Sequence, residues 1–192
     1  MDILVALVAV ALTAGSQAAS PAIRDIDGRL HRPFEPADLP SVLVFLTTDC
    51  PISNGYAPEI QRLCAASAAR GVGCLLLYED ARIDAAAVRR HLAAYRYAGV
   101  AAAVDGDRAI AAAARATITP EAAVVDRAGT VRYRGRIDNL YAELGRRRSA
   151  ATIHDLRDAI DAVLSGRPVA ASRTEALGCY IPPQPRRSED SR

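Results

Sequence analysis

The stretch that decides the reading is FLTTDCPISNGYAPEI, residues 45–60. An apolar run, SVLVFL at 41–46, has the look of a strand buried on both faces, and it runs straight into Cys50-Pro51. Proline suits the first position of a helix, where its missing N–H costs nothing. The stretch therefore predicts a strand, a short turn and a helix that opens at Cys50. A cysteine there lies against unpaired N–H groups at the positive end of the helix dipole, and both favour the reactive thiolate.

Working outward, strands and helices alternate. AIRDIDGRLHR predicts an N-terminal hairpin turning at Asp27-Gly28 in a two-residue type I′ loop. The first helix is expected to run to about Ala69, with Ile60, Leu63, Cys64 and Ala68 inward. GCLLLY (73–78) reads as the next buried strand. Asp84 is set to cap a helix with Val88, Leu92 and Tyr95 inward. VAAAV and RAIAAAARA give a weak strand and a short helix. EAAVVD and TVRYRGRI flank Arg127-Ala128-Gly129 as a hairpin, with Tyr133 and Ile137 of the second run on one face. A last helix is expected over about Ala151–Leu164, ending at Gly166, with Ile153, Leu156, Ile160 and Val163 inward. The fold class is α/β: a central mixed β-sheet with helices on both faces and an N-terminal β-hairpin.

At 192 residues, 51% of them hydrophobic, the chain is long enough for one domain with extensions. Residues 3–12 are continuously apolar, too short to span a bilayer at about 20 residues. Small residues follow, so residues 1–18 read as a signal peptide cleaved after Ser16-Gln17-Ala18, although no basic residue precedes the apolar run. The mature chain is then expected to be exported, periplasmic or extracytoplasmic, with no membrane span. Its four cysteines would lie where disulfides persist. The formal net charge is +2 and every basic residue is an arginine. Arg146-Arg147-Arg148 is too short a run for a nucleic-acid surface, so nucleic acid is not an expected partner. His31, His91 and His154 have no ligand spacing, so no metal centre and no cofactor are expected.

Together these features resemble the redoxin (AhpC/TSA-like) branch of the thioredoxin superfamily, over roughly residues 22–166. Cys50-Pro51-Ile52-Ser53 stands where those proteins carry Cys-x-x-Cys. Pro58 matches the proline that kinks their first helix. Thr119-Pro120 matches their cis-proline loop, and the 121–138 hairpin their last two strands. The resemblance implies an exported thiol–disulfide oxidoreductase with protein disulfide or thiol substrates and an external reductant. Cys50 would be the nucleophile, with Pro51, Thr119 and Pro120 as active-site support. Two alternatives stand beside it: a peroxiredoxin-like antioxidant peroxide reductase, and a non-enzymatic module handling Cu(I) or docking a partner. Thr47 stands three before Cys50, as in the peroxidase motif P-x-x-x-T-x-x-C, but Leu43 occupies the proline position.

Ser53 removes the usual resolving thiol, which turns attention to the other cysteines. Cys64 lies about 9 Å back from the helix end and Cys74 about 10 Å into the returning strand, at 1.5 and 3.3 Å per residue. They are either two buried core thiols or a structural disulfide. Residues 167–192 read as an irregular tail carrying Cys179, and Thr174, Gly178, Cys179 and Ile181 are similar to the T-x-x-x-G-C-x-I tail of a redoxin subgroup. Cys179 is either a free tail thiol, one used between chains, or the partner that Ser53 cannot be. Asp49 is expected to oppose thiolate formation, and Asp138 is a further candidate to approach Cys50.

Overall fold

A computed structural model describes residues 20–181. The expected signal peptide, residues 1–18, lies outside the described residues. The elements in chain order are β1 (Ile23–Arg24), β2 (Leu30–His31), β3 (Ser41–Leu46), α1 (Pro51–Ala68), β4 (Gly73–Tyr78), α2 (Ala85–Ala94), β5 (Ala101–Val104) and α3 (Ala109–Ala114). There follow β6 (Ile118–Thr119), β7 (Glu121–Val125), β8 (Val131–Gly135), β9 (Tyr141–Glu143), β10 (Arg146–Arg147), α4 (Asp155–Leu164) and β11 (Cys179–Tyr180).

The central sheet has the order β5-β4-β3-β7-β8. Strands β3, β4 and β5 are parallel, while β7 pairs antiparallel with β3 and β8 with β7. The run at β3 is apolar throughout because it is the middle strand, covered on both faces. Val42, Val44 and Leu46 pack with Ile60 and Leu63 of α1 and with Leu156 and Ile160 of α4. The alternate residues Leu43 and Phe45 pack with Ile110, Ala111 and Ala114 of α3. The sheet is mixed and helices cover both faces, as the pattern predicts. Among the described residues no helix is long and apolar enough to cross a membrane.

Four local expectations need correction. The N-terminal hairpin turns through five residues, Asp25–Arg29, because the Asp25 carboxylate accepts hydrogen bonds from Asp27 N–H and Arg29 N–H and holds a wider loop. At the end of α1, Ser67 is buried and Ala68 exposed. In α2 the inward residues are Val88 and His91; Tyr95 lies past the helix end and is exposed. The last helix begins at Asp155, since Asn139 holds Thr152 and Ile153 by their backbone N–H groups in a non-helical entry, leaving Ile153 47% exposed.

Candidate active site

The loop between β3 and α1 brings Cys50 to the carboxyl end of the middle strand. Cys50 is the N-cap, with extended backbone (φ −75°, ψ 112°), and Pro51 follows in the first turn. The Cys50 carbonyl accepts from Asn54 N–H at 3.0 Å. Asn54 also locks the approach to it. Its Nδ2 donates to Thr48 O (3.0 Å), and its Oδ1 faces His91 Nε2 (2.9 Å). His91 Nε2 must therefore carry the proton, leaving Nδ1 to accept from Tyr78 OH at 2.9 Å. Burial lowers the His91 pKa, which keeps the ring neutral and suits this arrangement. Sequence reasoning put Val88, Leu92 and Tyr95 inward and looked at His91 only for metal-ligand spacing, so it missed this relay.

Opposite Cys50 stands the loop that enters β7. The Thr119–Pro120 peptide bond is cis, and the Thr119 carbonyl accepts the Cys50 thiol hydrogen at 3.1 Å. Thr119 Oγ1 and Thr47 Oγ1 lie 3.2 Å apart, both buried. The Thr47 hydroxyl is thus engaged with Thr119 and not with the sulfur.

The third side of the site is the tail. After α4 the chain runs alongside β8 in a parallel bridge between Arg173 and Arg134, where Thr174 N–H donates to Arg134 O (3.1 Å) and the Thr174 hydroxyl takes Arg136 N–H (3.1 Å) and pairs with Tyr133 OH (2.6 Å). Gly135 permits this, since a Cβ there would meet the Thr174 backbone N at 2.8 Å. Five residues on, β11 pairs antiparallel with β6, setting Cys179 opposite Thr119 and Tyr180 opposite Ile118. Ile181 N–H donates to Thr117 O (3.0 Å), and Thr119 Oγ1 to Cys179 O (3.4 Å). Residues 167–178 are without helix or strand, but the tail does not stay irregular: it is docked at Cys179. Beneath it, Cys50 is only 1% exposed.

Both cysteines are free and meet at Thr119, whose carbonyl accepts the Cys50 thiol and which pairs with Cys179 across the β6–β11 ladder. Burial raises the Cys50 pKa. Hydrogen bonds from the Cys179 thiol, the Ser53 hydroxyl and the Ser53 and Cys179 backbone N–H groups outweigh it, so the net direction is below the ordinary thiol value. Ser53 Oγ, fully buried, has no hydrogen-bond partner beside the neutral thiol, so its hydroxyl is available to the thiolate. Cys179 goes the other way. Burial first, then the hydrogen bond to Cys50 and its charge, then Asp49, push it up to about 12. Asp49 thus bears on Cys179, where the sequence reading set it against Cys50. Both directions favour negative charge on Cys50 over Cys179.

The other candidates lie elsewhere. Cys64 and Cys74 are joined in a disulfide, with Cα atoms 5.5 Å apart. It ties the end of α1 to the start of β4, at the opposite end of the helix from Cys50. The Asp138 carboxylate is engaged by other groups, accepting from Tyr56 OH (2.7 Å) and Leu140 N–H (2.8 Å). Among the described residues no group of three or more His, Cys, Asp or Glu side chains could hold a metal ion.

A three-layer α/β sheet with a helix-capping cysteine facing a cis-proline loop is the thioredoxin-like fold. Solved structures match it. A hypothetical protein of Sinorhizobium meliloti 1021 is 24% identical, with a TM-score of 0.69 over 90% of this chain and 95% of that one. An uncharacterised conserved protein of Geobacillus kaustophilus is 23% identical, with a TM-score of 0.71 over 88% and 92%. A secreted Mycobacterium tuberculosis disulfide oxidoreductase homologous to Escherichia coli DsbE is 18% identical, with a TM-score of 0.50 over 77% and 96%. No family model matches the chain, and no curated protein matches it in sequence.

Proposed function

We propose that this chain is an exported thiol–disulfide oxidoreductase of the thioredoxin/redoxin type, with Cys50 as nucleophile and Cys179 as resolving thiol. The observation that carries the reading is the placement of two free cysteines on one residue of the cis-proline loop: the Thr119 carbonyl accepts the Cys50 thiol at 3.1 Å, and β11 sets Cys179 opposite Thr119, with the Cys50 pKa directed down and the Cys179 pKa up. The fold it shares with a secreted disulfide oxidoreductase supports both the chemistry and the export.

The Cys50 thiolate attacks one sulfur of a substrate disulfide. A Cys50–substrate disulfide forms, and the second substrate sulfur leaves as thiolate. At that moment Cys50 loses its negative charge. Two of the causes that hold Cys179 high, the hydrogen bond to the thiolate and its charge, vanish together. Cys179 becomes easier to ionise only after the mixed disulfide exists. Its thiolate then attacks the Cys50 sulfur, closing a Cys50–Cys179 disulfide and releasing the first substrate sulfur. Two electrons have passed from the chain to the substrate, and an external dithiol reductant restores them. The peroxidase reading asks Thr47 to position a peroxide beside Cys50, a task for which its hydroxyl, bonded to Thr119, is poorly free.

The test is turnover of a protein disulfide with an external dithiol, beside peroxide consumption, for the parent, Cys50→Ser and Cys179→Ser. Cys50→Ser is expected to be inactive, and Cys179→Ser to accumulate a substrate adduct on Cys50 detectable by mass spectrometry. Parent-like turnover by Cys179→Ser without adduct would remove Cys179 from the mechanism. Peroxide consumption lost in Cys50→Ser, without disulfide reduction, would replace the reading with the peroxidase one.

A further inference from the structure

Cys50, at 1% exposure, is closed off by its own chain. The first turn of α1, the Thr119 carbonyl and the core enclose it on the sides that cannot move without unfolding the domain. The remaining cover is β11, whose Cys179 packs against the same cluster and which is held by a two-residue ladder to β6 and, five residues upstream, by Thr174. A substrate sulfur must therefore reach Cys50 through the seat that β11 occupies, and Cys179 marks where that sulfur would sit.

The seat has chemical requirements. When β11 leaves, the edge at 117–119 loses its partners: the Thr117 carbonyl that took Ile181 N–H and the Thr119 hydroxyl that donated to Cys179 O. An extended polypeptide added antiparallel would restore them. The position before the sulfur is the selective one. A Cβ on Gly178 would fall well inside the van der Waals radius of the Thr119 carbonyl oxygen, 2.7 Å from Thr119 C and 3.0 Å from Ile118 Cγ2. The backbone of Thr119 cannot give way, because the same carbonyl faces the Cys50 thiol. The position after the sulfur is open, since Tyr180 is 80% exposed. The next one is apolar: Ile181 packs, partly buried, on the cluster formed by Leu43, Phe45 and Ile110.

Resting on the function proposed above, we propose that the substrate is a protein or peptide disulfide whose attacked cysteine lies in an extended Gly-Cys-x-aliphatic segment, taken into the seat of β11, and that the tail competes for that seat as a tethered mimic of the substrate. Glycine before the cysteine is the specificity element. The tail and the substrate alternate: the tail leaves to admit the substrate strand and returns to resolve it.

The test uses three peptides, Leu-Gly-Cys-Tyr-Ile, Leu-Ala-Cys-Tyr-Ile and Leu-Val-Cys-Tyr-Ile, each joined through its cysteine to nitrothiobenzoate in a mixed disulfide. The protein is the full chain carrying Cys179→Ser, with Cys64–Cys74 intact, so that Cys50 is the one reactive thiol and the substitution acts equally on every peptide. Attack of Cys50 on the peptide sulfur breaks the disulfide and releases nitrothiobenzoate as a coloured thiolate. The glycine peptide is expected to react roughly ten-fold faster than the alanine peptide, and the valine peptide to be slower still. Equal rates for all three would overturn the inference and leave the proposed function standing. No reaction with any peptide, nor with the small symmetrical nitrobenzoate disulfide, would overturn both. In the full chain, Gly178→Ala should evict the tail by the same clash and raise the alkylation rate of Cys50 by roughly ten-fold. An unchanged rate would show that the seat admits a Cβ and would refute the specificity.

Discussion

Thr174 is the latch on which access to Cys50 should depend, and Thr174→Val isolates it. Valine keeps the shape and deletes the hydroxyl. The hydroxyl is the partner of Arg136 N–H (3.1 Å) and of Tyr133 OH (2.6 Å). Tyr133 loses little, because its own O–H also donates to Arg136 O at 2.6 Å. Arg136 N–H is the group left stranded, at a cost of about 1–2 kcal/mol, between an ordinary net hydrogen bond and a fully buried orphan. The cost falls on the state in which the tail is docked, since an undocked tail exposes this N–H to water. Where opening is fast, Cys50 labels in proportion to the open fraction. With one decade per 1.4 kcal/mol, Thr174→Val should then raise Cys50 alkylation about five- to thirty-fold at neutral pH. The assay is a pulse of iodoacetamide on protein with Cys50 and Cys179 as free thiols and the Cys64–Cys74 disulfide intact, with the adduct mapped by mass spectrometry. If urea unfolding shows the lost stability but Cys50 labels at the parental rate, the tail is not the cover.

Two further outcomes follow from the same geometry. The alkylation rate of Cys50 should rise with pH through a midpoint below the ordinary thiol value; Ser53→Ala should move that midpoint upward and slow labelling at neutral pH by roughly several-fold, because a donor to the thiolate is gone. An unmoved midpoint would mean that the Ser53 hydroxyl does not serve the sulfur. The Cys64–Cys74 disulfide, closing a separation of 10 residues, should contribute about 3 kcal/mol by restricting the unfolded chain, so the Cys64→Ala/Cys74→Ala double variant should lose that much in urea unfolding. Its exchange chemistry at Cys50 should persist, and loss of exchange in a folded double variant would contradict a purely structural bridge.

What could be read from the sequence was what neighbouring residues decide. SVLVFL declares a strand covered on both faces, and Cys50-Pro51 declares a helix start, because burial pattern and proline geometry act locally. The 121–135 hairpin is written as two β-prone runs flanking Arg127-Ala128-Gly129. What escaped depends on contacts between distant segments. His91 lies near the apolar face that Val88 marks, but only its partners Tyr78 and Asn54 explain why a ring of mixed character turns fully inward. Glu79, at the end of LLLYE, reads as a charged strand end. In the fold it is fully buried with neither oxygen hydrogen-bonded, and burial, then Asp105, raise its pKa to about 9 against the pull of Arg108. No local signal announces a carboxyl of that kind.

The tail is the most instructive case, because its seat rests on two close backbone approaches. One is at Gly135 against Thr174, which the sequence writes only as one more glycine, and the other is at Gly178 against Thr119, which the tail motif marks without showing what it approaches. Together they give Ser53 a purpose. A cysteine at position 53 would lie on the rigid first turn of α1, always beside Cys50, and would resolve any adduct as soon as it formed. Serine at that position keeps a buried hydroxyl to favour the thiolate and gives up the rival sulfur. On the function proposed above, the rival is Cys179, on a strand that would leave before a substrate enters and return before the product is released. Resolution on this reading is tied to the order of two docking events, which a local Cys-x-x-Cys does not impose.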